Sequence, residues 1–151
     1  ETPARLEADA ALKEKIERIR LASGPLMNLG DVARKTVPKM TLVSPPVAGG
    51  DLATRSFIPH RVHEAIGVLG AVSVATAAAL PGSVAARVCR RPPAAGPQRF
   101  EIEHPTGFFT VDLDIEIDGE KVMVKKSALL RTARKLMHGA LFIPSTAWSA
   151  R

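Results

Sequence analysis

The stretch "AIGVLGAVSVATAAALPG", from Ala65 to Gly82, constrains the fold of this chain more than any other. Its apolar run, Ile66 to Leu80, is 15 residues long. A bilayer span needs roughly 20 such residues, so the run is too short to cross a membrane. Helix is the expected state from His63 to Leu80, and Pro81-Gly82 supplies the stop. A helix apolar on nearly every side has to be surrounded by protein. In a small domain, that demand is met by a curved sheet wrapped around a central helix, so the expected class is α+β.

The flanking sequence supplies the strands. "KMTLVSPP" and "LATRSFIP" read as strands closed by proline and glycine, and "RRPPAAGPQ", residues 90–98, reads as an exposed loop. After Gly107, Phe109, Val111, Leu113, Ile115 and Ile117 alternate with Asp112, Asp114 and Glu116, the pattern of a half-buried strand. With Asp118-Gly119 as a two-residue loop, Ile117 faces Glu120. Ile115 then faces Val122, Leu113 faces Val124, Glu116 faces Lys121 and Asp112 faces Lys125. Residues 6–22 form an amphipathic helix with Leu6, Leu12, Ile16 and Ile19 on one face and Gly24-Pro25 as its end. The expected organisation is an N-terminal helix and connector over 1–35 and a sheet-and-helix domain over 36–151. By propensity alone Leu129 to His138 is helical, with Gly139 as its cap.

The apolar content of 46% supports a proper core and excludes a disordered chain. Cys89 is the only cysteine, which rules out an internal disulfide and suits a reducing, cytoplasmic setting. The opening residues lack the basic-then-apolar order of a secretory leader. Arg90 and Arg91 beside Cys89 would lower a thiol pKa, but a lone cysteine is more often apolar filler. The net charge of +6 invites an anionic partner. Its Lys and Arg are dispersed and tyrosine is absent, so a small anion fits better than nucleic acid. The familiar glycine-rich, P-loop, esterase and C-x-x-C signatures are all missing.

Two stretches carry candidate chemistry. Arg55, His60 and His63 precede the apolar helix, whose N-terminus offers unpaired N–H groups and partial positive charge, a setting for carboxylate or phosphate. His60 and His63 have H-x-x-H spacing, but no third ligand accompanies them and no metal site is assigned. Capping or packing at the helix end is the other reading of both histidines. The second stretch is "EIEHPTGFF". Pro105 fixes φ, Gly107 is free to take positive φ, and the Thr106 hydroxyl with nearby N–H groups points outward as a small anion-binding corner. An ordinary turn with a satisfied threonine is the alternative, and four residues do not decide between them. Asp112, Asp114 and Glu116 read as the solvated face of a hairpin rather than as a carboxylate site.

In order along the chain, "ETPARLEADAAL", "MNLGDV", "PKMTLVSPP", "RSFIPHRVHEAIGVLGAVSVATAAALPGS", "IEHPTG" and "RTARKLMHGALFIP" resemble the 2-methylaconitate cis-trans isomerase and 4-oxalomesaconate tautomerase family. That family has a fold similar to diaminopimelate epimerase, with two lobes, each a curved antiparallel sheet around a central helix, and substrate between them. The resemblance implies that this chain is the C-terminal lobe. It also implies two extended segments over Leu129 to Ile143, broken near Arg131-Thr132-Ala133, in place of a helix.

The activity so implied is a cofactor-independent shift of a double bond in an unsaturated di- or tricarboxylate. A proton leaves one carbon and another returns elsewhere in the allylic system. The family's acid–base residues lie in its N-terminal lobe, so no catalytic residue is assigned here. What carries over is substrate holding by Arg55, His60, His63, Thr106 and Gly107, with His104 and Gly70 completing the set. Leu69-Gly70 stands where many relatives have Thr-Gly. Expected partners are a small carboxylate, the N-terminal lobe of the same protein and a second copy in a homodimer, with neither nucleic acid nor membrane. The alternative is a truncated, non-catalytic anion-binding module.

Overall fold

A computed structural model describes residues 2–119, 121–144 and 146–147. Four helices, α1 (Pro3–Ala8), α2 (Ala10–Leu26), α3 (Val68–Ala79) and α4 (Val84–Val88), accompany five strands. The strands are β1 (Met40–Ser44), β2 (Leu52–Phe57), β3 (Gly96–His104), β4 (Gly107–Asp118) and β5 (Lys121–Leu129), ordered β1-β2-β3-β4-β5 in one open sheet. The class is α+β, as expected. The sheet is mixed, however, because β2 and β3 run parallel while the other pairs are antiparallel. The cause is the connection: α3 and α4 sit between β2 and β3, and a crossover of that length returns the chain in the same direction.

One face of the sheet carries the main core. Leu52, Phe100, Ile102, Val111, Leu113 and Ile115 pack against Ala71, Val74, Ala75, Ala78 and Ala79 of α3. The four alanines let the helix backbone approach the sheet, and the alternation read along β4 puts its apolar positions on this side. The helix nevertheless begins at Val68, not His63, and it is not enclosed. Leu69 is 80% exposed and Val68 is also exposed. A single sheet covers only the stripe facing it, so the other flank of α3 stays open.

On the other side of β2, Phe57 joins Leu6 and Ile16 in a second cluster, with Leu12, Met40 and Val62 at its edge. Leu52 and Phe57 point to opposite faces, so β2 is covered on both. The N-terminal helix breaks at Asp9, whose carboxylate accepts the Leu12 N–H at 2.9 Å and starts α2. Ile19 is exposed; the buried side chain in that stretch is Arg20. Its guanidinium pairs with Glu17 and donates to the carbonyls of Val32, Lys35 and Val37, which straps the connector to α2.

The β4–β5 register differs from the sequence reading by two residues beside the turn and by three beyond a bulge. Ile117 faces Val122 and Ile115 faces Val124, while Asp118 faces Lys121. Glu116 therefore faces Met123, and a bulge between Asp114 and Ile115 sets Asp112 opposite Ala128 and Leu113 opposite Ser127. A two-residue slip preserves faces, so the alternation in the sequence is satisfied by either register and only the turn decides. Glu120 itself lies outside the described residues. The helix expected from propensity after β5 is absent. Residues 130–144 form no regular element, and Leu136, Met137, Leu141 and Phe142 stand largely exposed.

Candidate functional site

The two sequence stretches meet at one end of the sheet. Parallel pairing of β2 with β3, Leu52 with Ile102 and Ala53 with Glu103, sets the far end of β2 level with the β3–β4 turn. The Thr54 hydroxyl donates to the Glu103 carbonyl at 2.6 Å and fixes that alignment. In the turn, His104 pairs with Gly107 and leaves Pro105 and Thr106 as its loop. The Thr106 hydroxyl donates to the carbonyl of Glu64 at 2.9 Å. This bond ties the turn to the segment that leads into α3.

The start of α3 is open. Gly67 occupies its N-cap without a side-chain hydrogen bond, and the Ala71 N–H to the Gly67 carbonyl, at 2.9 Å, begins the helical ladder. Val68, Leu69 and Gly70 therefore present first-turn N–H groups with no intrahelical acceptor. A Cβ on Gly70 would sit 3.3 Å from the Ile66 side chain, so the glycine lets Ile66 pack over the first turn. Gly107 takes φ of +150°, a region almost closed to other residues.

The basic side chains divide. Arg55 donates to the Thr54 carbonyl at 2.7 Å, and its charge acts on both Glu103 and His104. His63 accepts the Ala65 N–H at Nδ1, 2.9 Å, and its charge also acts on His104. Arg55, His63, His104 and Thr106 are thus brought together. His60 is turned away, its Nδ1 lying 3.6 Å from Glu17 of α2. Burial pushes the His104 imidazole below its ordinary range; a backbone hydrogen bond with Phe108 opposes this, while His63 and Arg55 add to it.

The sequence reading missed Glu103. It is buried, and its carboxylate accepts the N–H groups of Val47, Ala48 and Gly50 at 2.7 to 2.8 Å. Burial alone would push this carboxyl up, but those three bonds and the charge of Arg55 hold it below the usual carboxylate range. A Cβ on Gly50 would lie 2.6 Å from the Glu103 side chain, so the glycine makes room for the carboxylate. Gly49-Gly50 and an acid directly after the apolar Ile102 were the available signals. Asp51 works the same loop from the other side, accepting from Glu101 N–H, Arg90 and Arg91. Cys89 is half-buried against the core, and burial pushes its thiol up in spite of its arginine neighbours, as suits a packing residue.

Among the described residues no cluster of three or more His, Cys, Asp or Glu is placed to hold a metal, and no helix is long and apolar enough to cross a membrane. The site is a corner lined by an open helix start, a glycine-backed turn and Arg55. Such a corner suits an anion.

The family model described as PrpF protein matches residues 1–144. The chain belongs to the PrpF family. This PrpF chain is 58% identical over 138 residues to a (4E)-oxalomesaconate Delta-isomerase from Novosphingobium sp. (strain KA1), covering 91% of the chain and 38% of that protein. It is 50% identical to a 4-oxalomesaconate tautomerase from Pseudomonas putida (strain KT2440), covering 95% of the chain and 38% of that protein. A 2-methyl-aconitate isomerase from Shewanella oneidensis is 27% identical over 92% of the chain and 38% of its own length. The chain thus spans less than half the length of these relatives, which are named as isomerases and tautomerases. The crystal structure of a methylitaconate-delta-isomerase superposes with a TM-score of 0.65 over 87% of this chain and 39% of that one, at 19% identity. That likeness confirms the fold.

Proposed function

We propose that this PrpF chain is the substrate-holding C-terminal lobe of a cofactor-independent isomerase or tautomerase, one that shifts a double bond in an unsaturated di- or tricarboxylate. The observation that carries the reading is the Thr106 hydroxyl on the Glu64 carbonyl, which joins the His-Pro-Thr-Gly turn to the start of α3. Substrate carboxylates occupy the corner so formed. Arg55 supplies fixed charge, the Thr106 and Gly107 backbone and the first turn of α3 supply N–H donors, and His63 lines the approach. His104 and Gly70 belong to the same corner, and His60, held toward Glu17, sits at its margin.

The chemistry divides between lobes. When a proton leaves the allylic carbon, negative charge spreads toward a carboxylate, and donors fixed before the reaction stabilise it without reorganising. The acid–base residues that take and return the proton belong to the N-terminal lobe of the same protein, which is consistent with a chain spanning 38% of its relatives. The apolar side chains of residues 130–144 are available to that lobe. The reading includes a cytoplasmic homodimer.

The test uses the two-lobed protein and an unsaturated tricarboxylate such as 4-oxalomesaconate. Arg55→Ala with Thr106→Val should lower kcat/KM by about 100-fold or more. Turnover at the parent rate would refute the assignment. The alternative is a non-catalytic anion-binding module. It requires that the reading frame upstream of Glu1 encode no further lobe.

A further inference from the structure

Thr106 makes three contacts that cannot all be satisfied by one arrangement of protons. Its hydroxyl lies 2.9 Å from the Glu64 carbonyl and 3.2 Å from His104 Nδ1, and its N–H lies 3.3 Å from the same Nδ1. The carbonyl has no proton to give, so that bond takes the single hydroxyl proton. The hydroxyl oxygen then needs a proton from Nδ1, whereas the Thr106 N–H needs a lone pair there. The imidazole can offer one or the other, never both at once.

We infer that His104 is a positioning residue that decides which donor Thr106 presents to a carboxylate. With a lone pair on Nδ1, the Thr106 N–H is held inward on the ring and is lost to ligand. With a proton on Nδ1, the ring grips the hydroxyl oxygen, the hydroxyl holds Glu64, and the N–H is released into the corner beside a new positive charge. Anion binding at the turn therefore draws a proton onto His104, and a proton on His104 prepares the turn for an anion.

Burial and the groups that face His104 oppose its charging. Arg55 comes from β2 and His63 from the segment before α3; both are basic, and only the Phe108 backbone pulls the other way. The Glu103 carboxylate, next in sequence, is committed to the N–H groups of Val47, Ala48 and Gly50. A carboxylate ligand at the turn would add negative charge beside the ring and favour its protonated form. The inference rests on the carboxylate reading of the site, and its test separates the two.

The experiment is an NMR titration of this chain from pH 8 to 5, reading the Thr106 amide and the His104 ring. The amide should leave its hydrogen-bonded shift with the same midpoint as the ring. His104→Asn, whose carboxamide keeps an acceptor near the Nδ1 position, should hold the amide inward at every pH, whereas His63→Gln should leave the titration in place. An amide that ignores His104 overturns the positioning role, and the parent chain alone can show this. Adding tricarballylate should raise the His104 midpoint by about one unit. An unmoved midpoint with an amide that still follows the ring overturns the link to a carboxylate and, with it, the functional reading. In the two-lobed enzyme, His104→Asn should flatten the pH dependence of KM, which a purely structural role would not produce.

Discussion

The strand β4 ends in two reversals of equal length and unequal chemistry. At one end Asp118 pairs with Lys121, and the loop between them opens with Gly119 at φ of +59°. That glycine is in the left-handed region that a hairpin's twist prefers. At the other end His104 pairs with Gly107 across Pro105 and Thr106. Proline cannot take positive φ, so this loop is barred from the favoured primed turn, and Gly107 absorbs the mismatch at φ of +150°. Where the chain has only to reverse, it does so with the cheap turn. Where it accepts a poorer one, it gains a hydroxyl aimed at the start of α3 and a histidine beneath it.

The comparison can be broken by mutation, and the residues flanking each turn should give the largest contrast. Glu103→Ala removes a buried carboxylate and leaves three backbone donors without their acceptor, the Gly50 N–H among them buried, and should destabilise the chain by about 2 kcal/mol in urea unfolding, whereas exposed Asp118→Ala should stay within about 0.5 kcal/mol. If the two losses were equal, the buried carboxylate would not be what anchors residues 47–50. The glycines come next. Gly107→Asn should cost about 2 kcal/mol, because its φ is closed to side chains, and Gly119→Asn should cost less than about 1 kcal/mol, because asparagine tolerates the left-handed region. Thr106→Val removes the bond to Glu64 and should cost about 1 kcal/mol, with weakened carboxylate binding as its larger effect.

The smallest contrast lies in pH. The His104 value is depressed on folding, so the unfolded chain binds its proton first; its stabilising contribution is complete above the ordinary 6.5 and is lost as pH falls through the folded value. Glu103 behaves in the same sense in a lower window, complete above 4.5 and lost on further acidification. Unfolding followed from pH 7.5 downward should therefore show two successive losses. His104→Asn should remove the first and spare the second.

Much of this was legible in the residues. Leu113 and Ile115 face the core because their strand alternates, the apolar residues from Ala71 to Ala79 make a helix that packs on the sheet, and the two glycine turns bracket β4. The Arg55, His63 and Thr106 neighbourhood was legible as two separate stretches and through the family resemblance. Other features were illegible because they depend on partners distant in sequence. Glu103 finds its donors more than 50 positions away, and His60 is drawn to Glu17 of a helix that the spacing of histidines says nothing about. The β4–β5 register escaped for a different reason: slips of two residues leave every face unchanged.

By itself, then, the sequence determined the periodicities, the turn chemistry and the family, because these depend on residues within a few positions of one another. The tertiary structure decided which side chains share a site. It ran β2 parallel to β3, so that Arg55 comes level with Thr106, and it left the first turn of α3 uncapped. It also set one imidazole nitrogen beside both the hydroxyl and the N–H of the same threonine. Such arrangements arise from the crossing of strands and loops far apart in the chain, where local propensity has no reach.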